Sequence, residues 1–174
     1  MGLSVVFSRT HAANEGEGRA TLSIREARPD EAAALSELAM RSKGHWGYDA
    51  AFLEACRADL TLTPQQIAES VSLVCEGEAG VLGFSRVVLM DERTAELDAL
   101  FVDPTAIGMG AGKLLWACSV AAARDLGAQD LVLQSDPHAE GFYISRGARR
   151  IGEVASALLP GRTLPLMHFA LHRA

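Results

Sequence analysis

The sequence predicts one α/β domain of the α+β kind: a mixed, mostly antiparallel seven-stranded sheet flanked by helices, in the order βααβββαβαββ. Three observations carry that expectation. Between Ser70 and Val102, three strand-like stretches are joined by turns too short for a crossover, which makes an antiparallel meander. From Leu97 to Leu133, a strand, a glycine-rich turn, a helical pattern and a short apolar strand follow one another, as in a parallel crossover unit. A chain of 174 residues, 49% hydrophobic and 22% charged, suffices for one well-buried domain and is short for two.

The elements follow in order. Thr21 to Ala27 alternates polar and apolar residues and reads as a first strand, stopped at Arg28-Pro29-Asp30. Asp30 is expected to cap a helix from Glu31 to about Ser42, with Ala34, Leu35, Leu38 and Ala39 on one face. A loop with two glycines and two aromatics, Lys43 to Tyr48, leads to a second short helix over Asp49 to Leu60, and Thr63-Pro64 starts a single turn. Val71–Cys75, Val81–Met90 and Ala95–Val102 are the meander strands. Ala111, Leu114, Leu115, Cys118, Ala122 and Leu126 recur at helical spacing, and Gly127 ends that helix. Leu131–Leu133 is a strand, Asp136-Pro137 starts another helix, and Ala148–Val154 and Leu164–Leu171 are the final strands around a Pro160-Gly161 turn. Residues 21–174 form the domain. Residues 1–20 are read as a loosely held, partly disordered extension that lacks the charged and apolar regions of a secretory leader.

Charge and cysteines narrow the function. A net charge of −6 with scattered basic residues argues against a nucleic-acid partner. No apolar run approaches the roughly 20 residues that span a bilayer, so no membrane partner is expected. Cys56, Cys75 and Cys118 lie far apart without CxxC spacing, which points to reduced thiols and a cytoplasmic location.

The stretch Leu97 to Leu115 carries the chemistry. Its glycines stand on alternate positions, Gly108, Gly110 and Gly112, directly before a helix. Glycine lets a ligand approach the backbone, and a helix N-terminus offers unpaired N–H groups, so the guest is a phosphate or pyrophosphate. A dinucleotide-binding GxGxxG fails on spacing and on position after a meander. A P-loop fails because Gly112-Lys113 is followed by Leu114 and the position five before Gly112 is Ile107.

Set beside Leu100-Phe101-Val102-Asp103-Pro104, the run Ile107-Gly108-Met109-Gly110-Ala111-Gly112 resembles the acetyl-CoA motif of the GCN5-related N-acetyltransferases, Q/R-x-x-G-x-G/A, with Ile107 where Gln or Arg is usual. A second stretch, Ser135 to Tyr143 followed by Gly147-Ala148, resembles that family's late segment, in which an Asn precedes an Ala and a Phe-Tyr pair; His138 is read as replacing the Asn. The resemblance covers Thr21 to Leu171. Together with Gly161-Arg162-Thr163-Leu164-Pro165, the motifs resemble a bacterial subgroup.

The resemblance implies an acetyl-CoA-dependent N-acetyltransferase acting on a small amine by direct attack in a ternary complex, with no metal and as a homodimer joined through the final strands. The cofactor would lie in a V between the strand ending at Val102 and the strand at Leu131–Leu133. Pantetheine would pair with backbone near Phe101 and Val102, and N–H groups from Met109 to Lys113, through Gly110, Ala111 and Gly112, would take the pyrophosphate, with Ile107, Gly108, His138 and Phe142 also at the cofactor. Tyr143 would donate to the leaving sulfur. Asp98 is the base candidate, on the expectation that it is buried on the face of Leu100 and Val102; Glu96 shares that face and could serve instead or position a water relay. His45, Trp46 and Tyr48 are placed on the acceptor side, or else form an aromatic cluster that locks their loop to the core. His168 and His172 share a strand face without a third ligand, so metal is not expected. No cysteine sits in either motif, which argues against a covalent enzyme intermediate. The rival reading is a non-catalytic acyl-CoA-binding or sensing module with the same fold.

Overall fold

A computed structural model describes residues 21–156 and 159–171. The expected extension at 1–20 and His172 lie outside the described residues. The elements are β1 (Ser23–Glu26), α1 (Ala32–Gly44), α2 (Ala50–Leu60), α3 (Pro64–Ala68), β2 (Val71–Gly77), β3 (Gly80–Leu89), β4 (Thr94–Val102), α4 (Ala111–Asp125), β5 (Asp130–Gln134), α5 (Glu140–Ser145), β6 (Arg149–Ala155) and β7 (Thr163–Ala170). Seven strands form one sheet in the order β1-β2-β3-β4-β5-β7-β6, and β4 and β5 run parallel while the other neighbours are antiparallel.

The sheet is covered on both faces, which is why Leu73 and Val74, adjacent on β2, are both fully buried. On one face, Leu35, Leu38 and Ala39 of α1 and Ile67 of α3 pack on Val74, Phe84 and Ala99. On the other, Leu115, Trp116, Val120 and Ala123 of α4 cover Leu73, Cys75, Val87 and Leu97, and Tyr143 of α5 joins Trp116, Leu131, Leu133 and Met167. Burial of this apolar surface, at about 25 cal/mol per Å², is the main favourable contribution.

The local signals place most boundaries within a residue or two. Asp49 caps α2 by accepting the Phe52 N–H at 2.8 Å, and Thr63 with Gln66 forms a capping box on α3, a full short helix where one turn was expected. Two expectations are corrected. Asp30 is not the cap of α1: Pro29–Glu31 forms a 3-10 turn, and Glu31 accepts the Arg28 N–H at 2.8 Å. The helix expected from Asp136 starts at Glu140, because Asp136 and its neighbours form a turn closed by the Ala139 N–H on the Asp136 carbonyl.

Glu31 also anchors the first face. Arg25 of β1 holds its carboxylate in a two-pronged pair at 2.7 and 2.8 Å and reaches Glu76 of β2 at 2.6 Å. Hydrogen bonding from Arg25 lowers the Glu31 carboxyl from 4.5 to about 2. A carboxyl depressed on folding contributes stability that is complete above its unfolded value and is lost as pH falls through its folded value. Glu31→Gln should therefore cost roughly 1–2 kcal/mol at neutral pH, and the gap to the parent protein should close as pH falls from 4.5 toward about 2. Urea denaturation across that range checks it; a gap independent of pH would refute the pairing.

Candidate active site

The site begins where two parallel strands separate. β4 and β5 pair only at Thr94–Asp130, Ala95–Leu131 and Glu96–Val132. Beyond Glu96 the register of β4 against β3 slips: Val87 faces Leu97 while Arg86 faces Ala99, so Asp98 is an extra residue, a β-bulge. The bulge resets the alternation. Leu97 and Leu100, three apart, both pack toward α4, whereas Ala99 and Phe101 pack toward α1. A cavity of about 520 Å³ fills the opening, lined along β4 from Leu97 to Val102 and by Gln134, Asp136, His138, Ala139, Phe142 and Tyr143 opposite.

One end of this cleft is a main-chain cradle. Gly108 and Gly110 adopt φ of +86° and +97°, which other residues rarely reach. Nothing lies within 4 Å of where a Cβ on Gly108 would stand. Gly110 is the N-cap of α4 without a side-chain cap, and no acidic residue stands in the first turn. The N–H groups of Ala111, Gly112 and Lys113 therefore have no intrahelical acceptor and stand at the positive end of the helix dipole, where Gly112 and Lys113 line the opening. The N–H of Met109 does not join them, because it donates to the Ala106 carbonyl at 3.1 Å. Ile107 lines the cleft with an exposed side chain, and the Lys113 side chain is exposed. Gly112 lies beside Val102 and the ring of Phe142; a Cβ there would stand 3.6 Å from each, an ordinary van der Waals contact, so packing does not require glycine at this position.

The β4 edge supplies a second set of free groups. Asp103 donates its N–H to Leu82 of β3. Alternation along an antiparallel ladder then turns the main-chain groups of Phe101 toward β3 and those of Leu100 and Val102 toward the opening. Leu100 thus replaces Phe101 as the main-chain partner expected beside Val102, while Phe101 packs its ring on Phe84 at 5.6 Å.

Tyr143 enters from the α4 face. Its ring is packed edge-on against Trp116 and Phe142, the residue is 6% exposed, and it lines the cleft. Burial, with the Asp136 charge adding, pushes its phenol well above the ordinary tyrosine value, so it stays protonated at physiological pH.

Carboxylates enter from the other face. The burial expected for Asp98 is not found: the bulge turns it away from the face of Leu100 and Val102, its side chain is 40% exposed, and Arg86 pairs with it at 2.5 Å. Glu96 is half-buried, and desolvation, with the Asp98 charge adding, raises its carboxyl above the ordinary 4.5. Glu96 and Asp98 line a second cavity of about 380 Å³, with Lys43, Cys56, Asp59, Leu60, Leu97 and Gln134. Lys43, Leu97, Asp98 and Gln134 form the wall shared with the first cavity. Gln134 had no sequence signal beyond its place at a strand end.

The aromatic loop divides in two. Trp46 lies in the cleft and stacks on His138 at 5.2 Å with rings 3° from parallel. His45 stands edge-on behind Trp46, outside the cleft lining. Tyr48 turns inward: its hydroxyl donates to Asp136 at 3.0 Å, accepts from Arg162 at 2.8 Å, and its ring lies 4.5 Å from Phe52. Asp136 also accepts from Lys43 at 2.6 Å and from the His138 N–H at 3.0 Å. The polar side chain that organises this turn is thus Asp136, while His138 contributes its ring. Asp136 loses solvation on burial, yet Lys43 and its other donors hold its carboxyl below the ordinary carboxylate value.

His168 bonds Asp130 at 2.7 Å. Among the described residues no three His, Cys, Asp or Glu side chains are grouped to hold a metal, and no helix is long and apolar enough to cross a membrane.

Comparison with known proteins gives the same architecture. A GCN5-related N-acetyltransferase structure from Rhodopseudomonas palustris, also described as a class-II aminotransferase, superposes with a TM-score of 0.73 at 18% identity, over 90% of this chain and 99% of that one. The PaiA N-acetyltransferase of Thermoplasma acidophilum, solved with coenzyme A, gives 0.68 at 17% identity, over 86% and 98%. YncA of Salmonella typhimurium, solved with acetyl-CoA, gives 0.61 at 22% identity, over 88% and 95%. No curated protein sequence matches the chain. The profile of the acetyltransferase (GNAT) family matches residues 32–148, two thirds of the sequence, from α1 to the end of the α5 turn. The chain belongs to the acetyltransferase (GNAT) family.

Proposed function

We propose that this acetyltransferase moves the acetyl group of acetyl-CoA to a small amine by direct attack in a ternary complex. The observation that carries the reading is a pair of neighbouring cavities with Lys43, Leu97, Asp98 and Gln134 as a common wall, one lined by Tyr143 and reaching the anion cradle, the other lined by the desolvated carboxylate of Glu96. The fit to coenzyme A is chemical. Unpaired N–H groups of Ala111, Gly112 and Lys113 suit a pyrophosphate, and the free main-chain groups of Leu100 and Val102 suit the amides of pantetheine, which would add to β4 as a further strand. The stacked Trp46 and His138 line the same cleft.

The proton steps follow from the environments. Glu96 receives the proton that the amine sheds as its nitrogen bonds to the thioester carbon, directly or through a water. Burial raises its pKa, which favours it as a base, whereas Asp98 is engaged by Arg86. As the carbon–sulfur bond breaks, Tyr143 donates its hydroxyl hydrogen to the sulfur. A phenol held above the thiol range stabilises the thiolate mainly by that hydrogen bond. Asp98 is paired with Arg86 and Lys43 with Asp136, which leaves Asp59 and Glu96, among the described residues, as the unpaired charges of the second cavity's lining and favours a cationic acceptor. The reading further includes a cytoplasmic homodimer joined through β6, the sheet edge where Ile151 is exposed.

Release of free coenzyme A, measured over a panel of amines, tests the activity; tight coenzyme A binding with no release from any amine would favour a binding module instead. Tyr143→Phe should lower kcat by about 10²-fold and leave the acetyl-CoA dissociation constant unchanged by calorimetry; equal turnover would remove the donor role. Activity needs Glu96 ionised, so the rate should fall as pH drops through a midpoint above the ordinary 4.5. Glu96→Gln should abolish that limb, whereas Asp98→Asn should preserve it. A limb unchanged in Glu96→Gln and lost in Asp98→Asn would reverse the two roles.

A further inference from the structure

We infer that Asp136 is a positioning residue for the amine acceptor, holding the α1–α2 loop, the β5–α5 turn and the start of β7 on one carboxylate and thereby setting the Trp46–His138 stack. This rests on the function proposed above, with the amine meeting the thioester where Lys43, Trp46, Asp136 and His138 line the first cleft beside the wall it shares with the second. The three segments are remote in sequence: Lys43 and Tyr48 lie 93 and 88 residues from Asp136, and Arg162 lies 114 from Tyr48. They meet at one group. Asp136 Oδ2 takes Lys43 Nζ at 2.6 Å, with Arg162 at 3.6 Å, and Oδ1 takes the His138 N–H at 3.0 Å. The Tyr48 hydroxyl reaches both oxygens at 3.0 Å.

Both rings of the stack are tied to that carboxylate through short chain segments. Trp46 lies between Lys43 and Tyr48, which both bond it, and His138 bonds it through its own main chain. A plane-parallel stack with rings 3° apart needs both backbones fixed, and no other described ion pair joins these segments.

Charge makes the arrangement depend on the anion. Lys43 and Arg162 each lie on the aromatic pair, 5.2 and 5.0 Å from the Tyr48 ring centre and 5.7 and 4.6 Å from that of Phe52. Two largely buried cations thus share one carboxylate. An amide in its place keeps the shape and leaves the cations facing each other, so repulsion drives the loop and β7 apart. Trp46, Asp136 and His138 line the same cleft as the cradle and the β4 edge, but the hydrogen bonds of Asp136 go to none of the cradle or β4 groups, so the pyrophosphate and pantetheine contacts are kept.

The test compares the full-length protein with Asp136→Asn and Tyr48→Phe, the second removing the phenol bonds without altering charge. Acrylamide quenching of Trp46 fluorescence, with Trp46→Phe giving the contribution of buried Trp116, reports the stack without any turnover. Asp136→Asn should open Trp46 to quencher, raise the amine KM about tenfold and leave acetyl-CoA affinity by calorimetry within about twofold. Tyr48→Phe should shift quenching and amine KM in the same direction by less, and decides the matter if Asp136→Asn does not fold. Unchanged quenching overturns the inference, as does an opened stack with an unchanged amine KM. If the parent protein transfers acetyl to no amine, the function proposed above fails by itself, while the quenching comparison still decides whether Asp136 holds the stack.

Discussion

Past Glu96 and Val132, two parallel strands of one sheet stop exchanging hydrogen bonds, and the working parts of the molecule are arranged around that parting. Its physical origin is the single extra residue at Asp98, which bends β4 and increases its twist. An interior opening in a sheet is costly, since main-chain groups at Leu100 and Val102 lose their partners. They remain free of apolar cover because the opening is a cleft, reachable from outside. Side chains from the two faces line neighbouring cavities beside the parting: Tyr143, packed on Trp116, in the first, and Glu96, near α2, in the second.

The two faces differ in how they are held. The α4 face is a continuous apolar core in which Leu115, Ala123, Leu131 and Met167 have no exposure. It fixes β4, the glycine turn and Tyr143 by packing, which tolerates little displacement. The other face combines a core under α1 with polar ties, Arg25–Glu31–Glu76 at one end and Lys43–Asp136–Tyr48–Arg162 at the other. In the proposed function, the face held by packing is the cofactor side and the face held by polar ties is the acceptor side.

Much of this was legible in the sequence, because the signals are local. Meander turns, the Asp49 cap, the glycine turn and the helical spacing after it each depend on residues within a few positions. What was not legible depends on long-range pairing. A strict two-residue alternation puts Asp98 with Leu100 and Val102, and only the three-residue spacing of Leu97 and Leu100 hints at an inserted residue. The cap fell one residue away, on Glu31, because Arg25 and Arg28 both converge there. The N–H of Met109 was committed to Ala106 by a turn that no motif encodes. Asp136 was visible in its motif, yet its partners come from distant parts of the chain.

The cradle at Gly108–Gly112 is made of peptide groups, and peptide groups do not titrate. Its affinity for a phosphate is built into backbone dipoles that keep the same value at every pH the fold survives. The carboxyl that burial has shifted stands on the other side of the sheet, at Glu96 in the second cavity. In the proposed reaction, acidity in the surroundings therefore acts through Glu96 on the amine's proton and leaves the peptide groups of the cradle as they were.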